Sequence, residues 1–166
     1  VKDVYIILDD KEFLPIEISI KKDHNGNSIS QENLINPLNV LKNLCQFSFK
    51  DKKIIHMLIE NYQIDGKDYS FLPENLKCNN FSLDIKFICL SKNLIEHYES
   101  ILKRYHILVN QILNAEYIEQ FQDQQNPNIY TTASRIISGC NNNEISLVNK
   151  TLKSKGFFEK FFDFFS

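Results

Sequence analysis

The residues with the most distinctive chemistry lie at the C-terminal end of the chain, where Phe and Lys cluster. Placed at about 100° per residue, the six Phe side chains after Gly156 fall within an arc of about 160°. Glu159, Lys160 and Asp163 share the opposite side. Aromatic rings favour the headgroup boundary of a bilayer, and nearby lysines favour anionic lipid. We therefore predict a membrane-binding tail whose contact residues are Phe157, Phe158, Phe161, Phe162, Phe164, Phe165, Lys150, Lys153 and Lys155.

A helix of about ten residues makes about three turns, which is too short to be stable alone in water. The six rings therefore need a cover. The bilayer interface, the protein's own core, and a groove on a partner or on a second copy are the alternatives. The terminal position, the polar linker upstream and the adjacent lysines favour the bilayer.

The histidines, cysteines and glycines do not form a pattern typical of catalysis or of metal binding. The four glycines are isolated, so they build neither a phosphate loop nor a dinucleotide fingerprint. The four cysteines contain no C-x-x-C pair, which predicts scattered thiols in a reducing cytosol rather than zinc or disulfides. His56 is predicted to be a hydrogen-bonded structural histidine, and Glu60, Asp65 and Asp84 to be solvated carboxylates. We expect no enzymatic activity, no cofactor and no metal.

Composition and charge describe an ordinary folded domain. Hydrophobic residues make up 43% of the 166 residues and charged residues 24%. The net charge of −2 gives no field that attracts nucleic acid, and Arg104 and Arg135 are the only arginines. No apolar run approaches the roughly 20 residues of a membrane-spanning helix, and no signal peptide is evident. The first residue is Val, which indicates either an alternative start codon or a piece of a longer chain.

Hydrophobic periodicity predicts an α+β fold with the order β-β-α-β-β-α-β, a small sheet of about five strands with two helices. The predicted strands are Val4–Leu8, a strand through Ile16–Ile20, Lys53–Ile64, Leu83–Cys89 and Ile107–Leu113; the predicted helices run from Ser30 to about Phe47 and from Leu94 to about Tyr105. The chain becomes polar after Leu113. We therefore divide it into an interaction domain (1–114), a linker with a short helix (115–143) and the tail (144–166).

The first predicted helix has two unusual features. Ser30 offers an N-cap, but Asn33 stands where a capping box has Glu or Gln, so we expect an incomplete box. Pro37 falls inside the helix and is expected to kink its first turns. Spacings of three and four predict that its buried face consists of Leu34, Leu38, Leu41, Leu44 and Cys45.

The stretch Ile54–Leu58, continuing through Tyr62–Gly66, resembles the "I-L-H-x-x-P-x-x-Y-x-I-D-G" stretch of the bacterial cell-division actin homologue FtsA. Flanking segments over residues 1–114 resemble, in the same order, the SHS2-like subdomain inserted in that family. Tyr130–Ala133 is similar to its Pro-x-Tyr-Ala-Thr-Ala helix. The Phe pairs after Gly156 are similar to its C-terminal membrane-targeting helix.

Several residues depart from the family's pattern. Ile59 replaces a strand proline, Arg135 replaces a helix glycine, and Asn75 and Cys78 replace two glycines of one turn. Since Asn tolerates positive φ and Cys does so poorly, we expect that loop to have changed shape. The family's nucleotide-binding subdomains and its FtsZ-binding subdomain have no counterpart in these residues. ATP binding, polymerisation and FtsZ binding are therefore not carried over.

The resemblance implies a cell-division adapter. Its SHS2-like domain would bind bacterial cell-division proteins, and its tail would dock on the inner face of the cytoplasmic membrane at the division site. Self-association is a further expected partner mode, and nucleic acid is not expected. A partner-binding module without a membrane role, an ATPase completed by a separately encoded chain, and a degenerate fragment of the family remain the alternatives.

Overall fold

The computed structural model describes residues 2–147, which form seven strands and four α-helices. The predicted α+β fold is confirmed. The strands are β1 (Lys2–Leu8), β2 (Leu14–Asp23), β3 (Lys52–Ile64), β4 (Lys67–Tyr69), β5 (Asn80–Ser91), β6 (Ile107–Asn114) and β7 (Glu144–Ile145). The helices are α1 (Ile35–Ser48), preceded by a 3-10 turn at Gln31–Leu34, then α2 (Lys92–Lys103), α3 (Ala115–Glu119) and α4 (Ile129–Ile137).

The main sheet is antiparallel, with the strand order β2-β5-β3-β4, and β7 also pairs with β3. Its central row joins three strands, because Ile18 pairs with Ile85 and Ile85 also pairs with Ile59. The alternating exposure of β2 confirms that it is half-buried, as its period of two predicts. The long central strands bury apolar side chains against α1 and form the largest core cluster.

The turn after β3 is a two-residue hairpin. Asp65 has φ 47° and Gly66 has φ 82°, the left-handed pair that Asp-Gly dipeptides favour in a tight β-hairpin. The Asp65 carboxylate also accepts hydrogen bonds from the backbone N–H groups of Asn79 (2.9 Å) and Asn80 (3.0 Å). The turn residue therefore also fixes the start of β5. The predicted turn is confirmed, and the short strand β4 that it leads into was missed.

A second sheet has two strands and is separate from the first in its hydrogen bonding. β1 and β6 pair in parallel, with Lys2 opposite Ile107 and Leu8 opposite Asn114. One side of this pair packs with Ile95 of α2 and with Leu90 of β5 in a small cluster. The other side contacts α3 and α4 through Ile7 and Leu113. The strands that the sequence predicts in a single sheet are thus divided between two sheets.

Residues beyond β6, for which the sequence predicts a linker with one short helix, contain two helices that pack on the sheets. The Asn114 side chain caps α3 by accepting from the Tyr117 N–H at 2.7 Å, and Asn128 caps α4 in the same way. Ile136 of α4 packs with Leu58 and other residues of the main sheet. β7 then joins β3 at Met57 and Leu58, within the range where the sequence predicts the start of the tail.

The start of α1 differs from its prediction in three respects. The Ser30 N–H donates to Asn33 Oδ1 at 2.8 Å, so Asn33 fills the capping-box role, and the prediction of an incomplete box was wrong. Pro37 is the third residue of α1 and lies in its first turn, where backbone N–H groups have no carbonyl partner within the helix. The missing N–H of proline therefore costs no helical hydrogen bond, and the helix continues past Pro37. Leu44 is 48% exposed, so its assignment to the buried face was wrong. In the nearby loop Asn75 has φ 63°, the conformation that Asn tolerates.

Candidate interaction surfaces

The predicted membrane-contact residues lie outside the described part of the chain. Phe157, Phe158, Phe161, Phe162, Phe164, Phe165, Lys150, Lys153 and Lys155 all follow Leu147, the last described residue. Leu147 packs against the main core and also lines a cleft rich in lysine. The last described residue therefore lies at the wall of this cleft.

The lysine cleft is a cavity of about 330 Å³ where α1, α2, β3 and β6 meet. Lys42 comes from α1, Lys52 and Lys53 from the start of β3, and Lys92 is the first residue of α2. Burial lowers the pKa of the Lys42 ammonium from its ordinary value, because the charged form loses hydration. Glu99 of α2 lines the same cavity. The arrangement suits a small anionic group.

An apolar groove of about 590 Å³ lies between β1 and α4. Within residues 2–147, β1 pairs only with β6, so its other edge has no strand partner. Ile7, Ala133 and Ile137 line it, and Tyr5 and Tyr130 stand at its exposed side, the latter 76% exposed. Such a groove offers apolar surface to a helix or a strand of a partner.

His56 lies in a buried polar cluster, as the sequence predicts for a structural histidine. Its Nε2 accepts a hydrogen bond from the Asn114 N–H at 3.0 Å, so the proton of the neutral ring is on Nδ1. Nδ1 lies 3.7 Å from Glu144 Oε1, and the centroid of the ring lies 4.5 Å from that of Tyr117, with the two ring planes tilted by 57°. Burial, followed by the charge of Glu144, raises the pKa of the Tyr117 hydroxyl. The ring is 1% exposed, and its hydrogen bond joins β3 to the end of β6.

The carboxylates that the sequence singles out have different surroundings. Asn61 Nδ2 donates to Asp84 Oδ2 at 3.2 Å, and the Ser19 hydroxyl also donates to Asp84. Glu60 lies 3.8 Å from Lys86 Nζ. Asp65 holds the hairpin described above. These three carboxylates therefore have separate structural partners and do not meet at one site.

Cys45, Cys78 and Cys89 are buried, and Cys140 is exposed. Burial raises the pKa of all three buried thiols, that of Cys89 to about 12. Residues 2–147 contain no group of three His, Cys, Asp or Glu side chains placed to hold a metal ion. None of the helices in this range has the length and apolar character that crossing a bilayer requires.

Sequence reasoning missed the lysine cleft and the apolar groove. The cleft lysines are separated in the sequence by up to about fifty positions and give no local motif. The groove depends on α4 packing beside β1, a contact between segments about 120 residues apart in the sequence. Local periodicity carries no signal for either arrangement.

No family model matches the chain. No curated protein sequence matches it significantly either.

Proposed function

We propose that this protein is a non-enzymatic adapter that docks on the inner face of a bacterial cytoplasmic membrane through its Phe-rich tail. The observation that carries this proposal is the separation of six Phe from the charged residues between Phe157 and Ser166. Burying several Phe side chains, at ~1.5–3 kcal/mol each, is enough for reversible docking after the cost of ordering the segment.

The partners proposed for the folded domain are bacterial cell-division proteins. Support comes from the resemblance of Ile54–Leu58 and Tyr62–Gly66 to FtsA. The apolar groove beside β1 gives the domain a surface where a partner segment could be covered. The adapter would then sit in the cytoplasm, peripheral on the membrane at the division site.

Membrane docking is tested by adding liposomes to the full chain and to a chain that ends at Lys155. We expect the full chain to co-sediment and the shortened chain to stay in the supernatant. If the two chains pellet equally, the tail is not the membrane anchor. A fluorescent fusion expressed in a dividing bacterium tests the proposed location at the division site. Enrichment at the septum is expected for the full chain, and a uniform distribution would contradict the proposal.

A second candidate is a partner-binding module whose Phe tail packs in a groove of its own chain or of a second copy. The apolar groove lined by Ile7, Ala133 and Ile137 favours it. The chain has no Trp, so Phe161→Trp introduces a single reporter. A blue shift that appears only with liposomes supports the membrane, whereas a reporter already blue-shifted without them supports the groove.

A further inference from the structure

Positive charge is concentrated in the lysine cleft. Its four lysines are part of a total of 19 basic residues in a chain with net charge −2. Glu99 lines the same cavity, and Asp51 lies 3.7 Å from Lys52 Nζ. The Asp51 side chain is 77% exposed, so this pair is largely screened by water. The cleft retains an excess of positive charge.

The surroundings of the lysines favour an anionic ligand. Within residues 2–147, Lys53 and Lys92 form no ion pair with an acidic side chain. Ser91, the N-cap of α2, makes no side-chain capping bond, and the positive end of the helix dipole lies beside Lys92.

The position of the cleft points to the source of that anion. Leu147 forms part of its wall, and Phe157 follows ten residues later. Ten extended residues span at most about 35 Å. A tail docked in a bilayer would therefore keep the cleft within about that distance of the lipid headgroups.

We propose that the lysine cleft binds the headgroup phosphate of an anionic phospholipid and forms a second membrane contact beside the tail. The inference rests on the proposed membrane function and deepens it. A single short apolar anchor binds weakly, and stable attachment takes two signals. The cleft and the tail would be those two signals, both held on one domain.

Vesicle flotation of the full chain tests this proposal. The vesicles are phosphatidylcholine alone and a mixture of roughly 70% phosphatidylcholine with 30% phosphatidylserine. The test variant is Lys53→Gln with Lys92→Gln, two exposed cleft lysines whose loss leaves the core intact. The matched control is Lys21→Gln with Lys22→Gln, exposed on β2 beside Ser82 and Phe81 and outside the cleft lining.

Each lysine near an anionic surface changes the partition coefficient about fivefold. We therefore expect the cleft variant to bind anionic vesicles about 10- to 25-fold more weakly and to bind neutral vesicles as the parent chain does. The control variant should lose much less affinity for anionic vesicles. Equal losses in the two pairs, or no loss in the cleft variant, would overturn the cleft as a site. Unchanged thermal melting of both variants shows that the fold is retained.

Two further comparisons distinguish a failure of the tail anchor from a failure of the lysine cleft. A parent chain that floats with neither vesicle refutes the tail anchor and with it this proposal, whereas equal flotation with both vesicles refutes the cleft alone. Soluble glycerol phosphate should compete only in large excess. If it binds the chain ending at Lys155 tightly, with loss on Lys53→Gln and Lys92→Gln, the ligand is a soluble phosphate and the lipid assignment is wrong.

Discussion

The substitution Ile136→Ala tests whether the segment after β6 is part of the folded domain. Ile136 is 4% exposed and packs with Leu58, Ile88 and Tyr117, which belong to the main sheet and α3. The change removes three carbon atoms, a loss of about 2.4 kcal/mol at ~0.8 kcal/mol each. The cavity left behind raises the expected cost to about 3 kcal/mol. That is a large share of the 5–15 kcal/mol typical of a domain.

Urea denaturation followed by far-UV circular dichroism measures this cost. The midpoint should fall while the dependence of the free energy of unfolding on urea stays the same, because the same surface is exposed on unfolding. Tyr130→Ala is the control on the same helix, since Tyr130 is 76% exposed and should cost less than about 0.5 kcal/mol. If Ile136→Ala also leaves the free energy of unfolding unchanged, then α4 is not packed on the sheet and residues 115–143 act as a linker.

Three further predictions use other parts of the domain. Tyr62→Phe removes the hydrogen bond from the Tyr62 hydroxyl to Asn143 Oδ1 (2.9 Å) and should lower the free energy of unfolding by about 1 kcal/mol in the same urea assay; no change would show that this bond does not secure the loop before β7. A thiol reagent should modify Cys140 in the folded protein and the three buried cysteines only after unfolding, and rapid reaction of a second thiol would contradict the burial. Burial raises the pKa of the hydroxyls of Tyr62 and Tyr117. These hydroxyls begin to ionise at about pH 10 in the unfolded chain, whereas in the folded protein they stay neutral to higher pH. The stability that they contribute is therefore complete below about pH 10 and is lost as the pH rises further; urea titrations at about pH 9 and pH 11 should show this fall, and a smaller fall is expected in Tyr117→Phe.

Much of the fold could be predicted because its elements carry local signals. The alternation of Ile16, Ile18 and Ile20 predicts a half-buried strand, and the Asp65-Gly66 dipeptide predicts a hairpin turn, as the structure has them. Leu44 shows the limit of such reasoning. Its spacing fits the apolar face of α1, but the sheet contacts a narrower arc of the helix than periodicity alone implies.

The missed parts depend on contacts between distant residues. β7 has two residues, too few to carry a periodic pattern, and it forms because β3 has an open edge at Met57 and Leu58. α3 has five residues and depends on the Asn114 cap and on the burial of Tyr117 and Ile118. The site residues divide in the same way: the Phe tail is evident from its sequence, whereas the cleft lysines come together only through the fold.

The parallel pairing of β1 with β6 has a consequence for how the protein is made. Lys2 pairs with Ile107, so β1 must wait for about a hundred further residues before its partner exists. At ~5–20 residues per second, a ribosome takes roughly 5–20 s to supply them. During that time Ile6, Ile7 and Leu8 lack the strand that covers them. Chaperone binding to nascent chains should therefore concentrate at this N-terminal strand and end when β6 has emerged.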